Sequence, residues 1–217
     1  MILVPVKDLR HAKQRLAPIL EQEARTQLAQ AMLEDVLTAL AEWKERPPVA
    51  LVTRDSFALA LASRFDMEVI IDHANTSETD AIAMATRICE KRNAESTLVI
   101  PADIPLIAAE EVRQIYAAAP ERGSVLVPAG DGRGTNAALR RPAGLFSLRF
   151  GNDSFAPHLE AAKGTGMPCV VLKLAGIGGD VDNPEDLKQL IEAPGQRKSQ
   201  QLARGWKLSN FPAPASE

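Results

Sequence analysis

Apolar residues fall along this chain in two rhythms. The first is the short unbroken run. Residues 2–6, 49–53, 68–72, 98–100, 124–128, 137–139 and 168–174 each hold a few consecutive apolar side chains between polar stretches. Short runs without alternation are what strands buried on both faces look like. The second rhythm is the helical stripe. Leu28, Met32, Val36 and Leu40 recur every four residues, and Leu33 and Leu37 widen the stripe, so a core-facing helix is predicted over 22–40. Shorter helices are predicted over 56–63, 79–92, 108–119 and 155–163. Another opens at Asn183-Pro184, with Pro at its first position. Strand and helix alternate. That order predicts an α/β fold: a single domain with a doubly wound, mostly parallel sheet, over residues 1–192. Residues 193–217 are polar, with Pro and Ser near the end, and are predicted to form a loosely held tail. Trp206 and Phe211 are its candidate docking residues, on the domain or on a second subunit of a homodimer.

Composition narrows the class of partner. The chain has 217 residues and 46% hydrophobic content, enough for one sizeable core. Its net charge of −3 argues against nucleic acid or an anionic membrane surface as a partner, but leaves room for a local basic pocket. No apolar run approaches the roughly 20 residues of a membrane span. The opening Met-Ile-Leu-Val-Pro-Val lacks the basic segment and long apolar stretch of a signal peptide. Cys89 and Cys169 match no metal spacing and are expected to be reduced thiols of a cytoplasmic protein.

The candidate chemistry gathers at the ends of the predicted strands. Asp103 follows the run 98–100 within Pro101-Ala102-Asp103-Ile104-Pro105. A carboxylate there stands at the carboxyl edge of a parallel sheet, where open α/β folds bind ligands. It either holds a divalent metal on a nucleoside triphosphate or caps the next helix. The loop after the first strand carries Lys7, Arg10, Lys13 and Arg15. It either wraps a triphosphate, Arg as a planar fork and Lys as a point charge, or is a solvated basic loop. Asp180 and Asp182 are two apart, so on extended chain they share a face. Paired oxygen ligands suit Mg²⁺.

Three further stretches offer contacts for substrate. Gly130, Gly132 and Gly134 interleave with Arg133, and Thr135 and Asn136 follow at the mouth of a strand; Asp131-Gly132 is also a ready hairpin turn. Gly151 and Ser154 precede a helix whose first N–H groups make an anion site, and Ser154 is also a plain helix cap. Ser77 and Asp80 have the spacing of a helix cap with an acid in the first turn. Asp80 or Glu78 could instead accept the paired N–H donors of guanine, which adenine lacks. His158 reads as packed or exposed rather than catalytic.

Five of these segments together resemble one family. Val-Lys-Asp-Leu-Arg-His-Ala-Lys-Gln-Arg-Leu from Val6 to Leu16, Pro-Ala-Asp-Ile-Pro-Leu from Pro101, Gly-Arg-Gly-Thr-Asn from Gly132, Phe-Gly-Asn-Asp-Ser-Phe from Phe150 and Asp-Val-Asp-Asn-Pro-Glu-Asp-Leu from Asp180 occur in colinear order. They look like the 2-phospho-L-lactate and phosphoenolpyruvate guanylyltransferases of coenzyme F-420 biosynthesis, relatives of the molybdenum-cofactor guanylyltransferases. The resemblance implies that GTP and a short phosphorylated carboxylic acid give a guanylyl-diphospho acid and pyrophosphate. The acid is 2-phospholactate, phosphoenolpyruvate or 3-phosphoglycerate, and the product passes to the next transferase of the pathway.

Carried over by position, Asp103, Asp180 and Asp182 would hold Mg²⁺. Lys13 and Arg15, with Lys7 nearby, would hold the triphosphate and, with Asp103, form the catalytic set. Thr135, Gly151 and Ser154 would hold the phospho-acid, beside Arg133 and Asn136. Asp80 stands where guanine would be read. The chain departs from the family pattern at Gln14, where a small hydroxyl residue is usual, and at Glu78-Thr79-Asp80, where Gly-Leu-Asn is usual. The alternative is another Mg²⁺-dependent nucleotidyl- or sugar-nucleotide transferase of the same fold.

Overall fold

The computed structural model describes residues 1–208 apart from Asn75 and Asn152. Its seven strands are β1 (Ile2–Pro5), β2 (Val49–Thr53), β3 (Glu68–Ile71), β4 (Thr97–Val99), β5 (Gly123–Pro128), β6 (Thr135–Arg141) and β7 (Cys169–Val171). They form one sheet in the order β3-β2-β1-β4-β6-β5-β7. The pairs β1–β2, β2–β3, β1–β4 and β5–β7 are parallel, whereas β6 runs antiparallel to both β4 and β5. The mostly parallel sheet is the one predicted, with β6 as its exception.

The reason for the exception is local. Only a short turn joins β5 to β6, and Gly132 in it takes φ +75. A parallel return needs a crossover of a dozen residues or more, so a tight turn forces β6 back along its neighbour. β6 therefore starts at the edge where β1 and β4 end. Its first residues, Thr135 and Asn136, stand beside the segment that follows Val99, which pairs with Ala138.

The helices are α1 (Gln22–Glu42), α2 (Ser56–Arg64), α3 (Glu78–Lys91), α4 (Ala109–Ala118), α5 (Phe155–Gly164), α6 (Pro184–Glu192) and α7 (Lys198–Gly205). Alternate strand residues feed opposite faces of the sheet. Ile2, Val4, Leu98 and Ile100 pack with Leu33, Leu37 and Leu40 of α1 on one face. Leu3, Val99 and Leu126 pack with Ile82 and Ala85 of α3 on the other. The unbroken apolar runs of β1, β2, β4, β5 and β6 are thus explained, because both of their sides are covered, whereas the edge strands β3 and β7 leave Ile71 and Val171 exposed. Cys89, fully buried, belongs to that second face.

A third, smaller core joins the two ends of the chain. Leu16 and Leu20 from the loop after β1 pack with Leu28 and Met32 of α1, Val181, Leu187 and Leu190 around α6, and Ala203 of α7. This corrects the expectation of a loosely held tail from residue 193. Within it, 198–205 is a helix that buries Ser199, Gln200 and Ala203. Its start is fixed by Asp35 of α1, which accepts hydrogen bonds from the Lys198 and Ser199 amides (2.8 and 2.9 Å) and from Ser199 Oγ (2.6 Å). A carboxylate at a helix N-terminus satisfies amides that have no partner inside the helix. Trp206 packs partly buried against this core, on its own chain; Phe211 lies outside the described residues. No helix among the described residues is long and apolar enough to cross a membrane.

Candidate active site

At the carboxyl edge of the sheet two clefts meet. The first, about 410 Å³, is lined by Lys7, His11, Lys13, Gln14 and Arg15 of the loop after β1, with Val6, Ala29 and Met32 supplying apolar wall. The second, about 360 Å³, is lined by the turn before β6, by Thr135 and Asn136, and by Phe150, Gly151, Asp153 and Ser154 before α5. Arg15, Glu78, Pro101, Asp103 and Asp182 line both, so the clefts form one trough with Asp103 and Asp182 at the seam.

The loop of the first cleft is shaped by two short 3-10 turns, Leu9–His11 and Gln14–Leu16. Leu9 and Leu16 bury themselves, which pins the loop to the body. Lys13, between the turns, takes the left-handed conformation at φ 55 and ψ 44. That is uncommon for a lysine, and it aims the side chain inward. The ammonium lies 2.7 Å from Asp103 Oδ2 and 2.8 Å from Asp182 Oδ1. Burial alone would lower its pKa; the two carboxylates outweigh burial and raise it. Lys7 pairs with the buried Asp72 at 2.7 Å. Arg15 reaches within 3.7 Å of Asp182 and stays largely exposed. Arg10 is drawn outward by Asp8 (2.8 Å) and lines neither cleft.

The carboxylates come from two segments held by backbone. Val181 N–H donates to Asp103 O at 3.1 Å, and the Val181 side chain is buried in the third core. With Val181 turned in, Asp180 and Asp182 turn out together, as their spacing predicted. Asp186 accepts from the amides of Asp182 and Asn183 (2.9 and 3.0 Å) and fixes the start of α6. Burial raises the Asp180 pKa, and the Asp103 and Asp182 charges add to the rise. For Asp182, burial pushes upward but Lys13 prevails, and the pKa is lowered. Negative charge is thus crowded here and only partly met by Lys13.

The second cleft combines hydrogen bonds between neutral groups with charged residues at its rim and seam. Ser154 Oγ accepts from the Thr135 amide at 3.1 Å. Ser154 does not cap its own helix, as it was expected to do; the first amide of α5, on Phe155, donates instead to Arg133 O at 2.8 Å. Asn136, expected to donate to substrate, gives its amide hydrogens to Ile177 O and Asp180 Oδ1, both at 2.9 Å. It lines the cleft but acts by holding Asp180. Arg133 lines the cleft rim and pairs with Asp153. Gly151, at φ +140, takes a conformation that disfavours other residues.

Asp80 is corrected. It lies exposed at the start of α3, where its backbone N–H donates to Ser77 Oγ (3.0 Å) and the Ser77 hydroxyl donates back to its carboxylate at 2.7 Å. It lines neither cleft. Residues two apart on a helix point about 200° from each other, so only one of Glu78 and Asp80 can face the trough. Glu78 does. Its pKa is pushed up to about 7 by burial, with the Asp103 charge contributing. Two more residues escaped sequence reasoning. Thr79 Oγ1 accepts from the Phe150 amide at 2.9 Å, tying α3 to the second cleft. His158, one turn beyond Ser154, contacts Thr135; the four-residue spacing that puts it on the same helix face was the available signal.

A mostly parallel sheet thus carries, at its carboxyl edge, two adjoining clefts that share carboxylates and Arg15. A solved structure from Desulfovibrio desulfuricans, described as a nucleotide-diphospho-sugar transferase, shares the fold with a TM-score of 0.77, 18% identity, and coverage of 95% of this chain and 94% of that one. The chain belongs to the family described as guanylyl transferase, CofC like, whose model matches residues 1–216. A phosphoenolpyruvate guanylyltransferase of Roseiflexus castenholzii is 37% identical over 93% of this chain and 92% of its own length. A 2-phospho-L-lactate guanylyltransferase of Methanothermobacter thermautotrophicus is 32% identical over 87% of this chain and 82% of its own length. The protein is therefore a nucleotidyltransferase of the guanylyl-transferring kind.

Proposed function

We propose that this enzyme joins GTP to a short phosphorylated carboxylic acid and releases pyrophosphate, as a cytoplasmic step of coenzyme F-420 biosynthesis. The acceptor class is phosphoenolpyruvate, 2-phospholactate or 3-phosphoglycerate. The observation that carries the reading is the seam: Asp103, Asp182 and Arg15 line both clefts. A nucleotide in the first and a phosphorylated acid in the second would meet there.

The attacking group is a phosphate oxygen of the acid. Its second pKa is about 6, so it is largely anionic at neutral pH and needs no general base. The work left to the protein is to bring two anions together and to stabilise charge on the leaving pyrophosphate. Lys13 and Arg15 are the cations nearest the seam, and Lys7 stands further along the first cleft. Thr135, Gly151 and Ser154 line the acceptor end.

The carboxylates fit a hard divalent cation such as Mg²⁺. Among the described residues no group of three or more His, Cys, Asp or Glu side chains is placed to hold a metal ion on its own, and the Lys13 ammonium stands between Asp103 and Asp182. Mg²⁺ is commonly bound by one or two carboxylates together with water and substrate phosphates, so the nucleotide would complete its ligand set. Asp103, Asp180 and Asp182 would hold it. When bound it would neutralise charge on the phosphates.

Pyrophosphate release tests the reading, with GTP against each of the three acids, ATP as the nucleotide control and a sugar phosphate as the acceptor control. Release with GTP and one phospho-acid supports it. Release only with a sugar phosphate would replace it with a sugar-nucleotide transferase.

A further inference from the structure

His158 is a buried, chemically capable side chain for which the phosphoryl-transfer chemistry has no use. It sits on α5 with 1% of its surface exposed. Its ring has two polar contacts, and together they fix where its proton lies. Nε2 is 2.8 Å from the backbone nitrogen of Arg149. A backbone N–H can only donate, so Nε2 must offer its lone pair. A neutral imidazole then carries its hydrogen on Nδ1. Nδ1 is 2.9 Å from Thr135 Oγ1, so that hydrogen is donated to the threonine hydroxyl.

The orientation passes on. Thr135 Oγ1 accepts from His158, and its own hydrogen must point elsewhere. Among the described residues the hydroxyl has no other partner. Thr135 lines the second cleft, and its amide is already committed to Ser154 Oγ. Burial, helped by the positive charge of Arg140, lowers the His158 pKa to about 4, so the ring stays neutral and the tautomer holds at neutral pH. The same ring anchors the near side of the phospho-acid loop. The Phe150 ring meets it edge-on with centroids 5.2 Å apart, and the Phe150 amide is held by Thr79.

We propose that His158 is a positioning residue for the acceptor: as a neutral Nδ1–H donor it turns the Thr135 hydroxyl into a donor aimed at an anionic oxygen of the phosphorylated acid. This rests on the acceptor reading of the second cleft given above. His158 touches no substrate itself. It sets the polarity of a group that does, and it leaves the nucleotide cleft alone.

The test is steady-state kinetics with GTP and phosphoenolpyruvate, 2-phospholactate or 3-phosphoglycerate, whichever the wild type turns over, together with thermal melting of each variant. Losing the aimed donor in His158→Phe raises KM for the acid about tenfold while KM for GTP stays within about twofold. His158→Asn, which can restore a donor toward Thr135 without the Arg149 contact, recovers most of the acid KM. Thr135→Val alone matches His158→Phe, and the double variant adds nothing further. The proposal is overturned by unchanged acid KM in a folded variant, by an equal rise in both KM values, or by additive losses with Thr135→Val. If His158→Phe does not fold, Thr135→Val against Thr135→Ser decides: the serine keeps the hydroxyl and the wild-type acid KM, the valine raises it about tenfold, and equal acid KM in the two overturns the proposal. Wild-type enzyme that releases no pyrophosphate with any phospho-acid refutes the acceptor reading itself, and the proposal with it.

Discussion

The two clefts differ in how their polar groups are partnered. In the first, every buried or half-buried cation already has a carboxylate partner: Lys7 has Asp72, and Lys13 has Asp103 and Asp182. In the second, the Arg133–Asp153 pair and the seam carboxylates stand beside a network of neutral hydrogen bonds that joins Thr135 to Ser154 and His158, and Thr79 to Phe150. A polyanion entering the first cleft must exchange one set of partners for another. On the proposed acceptor reading, an anion entering the second meets a Thr135 hydroxyl already oriented by His158. Charge held in a ready pair is cheap to bury but must be re-partnered on binding, whereas neutral donors need only be pointed.

The largest break in this contrast comes at the seam. Asp103→Asn should lower turnover by about 10³-fold, because a carboxylate facing both clefts is lost. Its circular dichroism and melting should stay close to wild type; near-normal turnover would end the metal role. Lys13→Met is next. It should reduce kcat/KM for GTP by about 10²-fold. It should also make Mg²⁺ binding without nucleotide tighter by calorimetry, since the ammonium no longer sits between the carboxylates. Unchanged Mg²⁺ affinity would mean that the pair and the cation do not compete.

Asn136→Leu tests the neutral side. It leaves Ile177 O and Asp180 without their donor, and turnover should fall about tenfold with a modest loss of melting temperature. A rise in KM for the acid alone would instead mean that Asn136 binds substrate directly.

The smallest effect is in the pH dependence of stability. Between pH 6.5 and about 4 the unfolded chain takes up a proton that folded His158 refuses, so His158 makes stability fall as pH falls through that window. Between pH 4.5 and about 7 folded Glu78 keeps a proton that the unfolded chain releases, so Glu78 makes stability fall as pH rises. The slopes oppose each other in the wild type. His158→Phe should steepen the fall with rising pH, and Glu78→Gln should steepen the fall with falling pH, both read as melting temperature against pH.

Much of the fold was legible because its signals are local. The stripe from Leu28 to Leu40 and the apolar runs at Ile2 and Leu98 are short-range patterns. The motifs around Asp103, Thr135 and Asp180 stood out as well, because turn residues flank them. What escaped depends on partners far away in sequence. Ser199 and Gln200 look like surface residues until Asp35 and the backbone of α6 satisfy them. Arg140 sits inside strand β6 because Phe146 O, Thr86 and Thr97 take its guanidinium hydrogens. The choice between Glu78 and Asp80 was set by the angle at which α3 meets the sheet, which no spacing encodes. The pairing of Lys13 with two carboxylates required a left-handed residue that composition does not announce.

The third core also sets an order of assembly during translation. Asp35 waits for amides 163 and 164 residues further along the chain. Until α7 leaves the ribosome, a nascent chain can already pair β1, β2 and β4. Leu16, Leu20, Leu28 and Met32, however, still lack Ala203 and the residues around α6. Contacts so distant in sequence form late and leave apolar surface open meanwhile. The loop after β1 can therefore dock Leu9 on α1 early, but Leu16 and Leu20 at its far end are fully covered only when synthesis has passed α7.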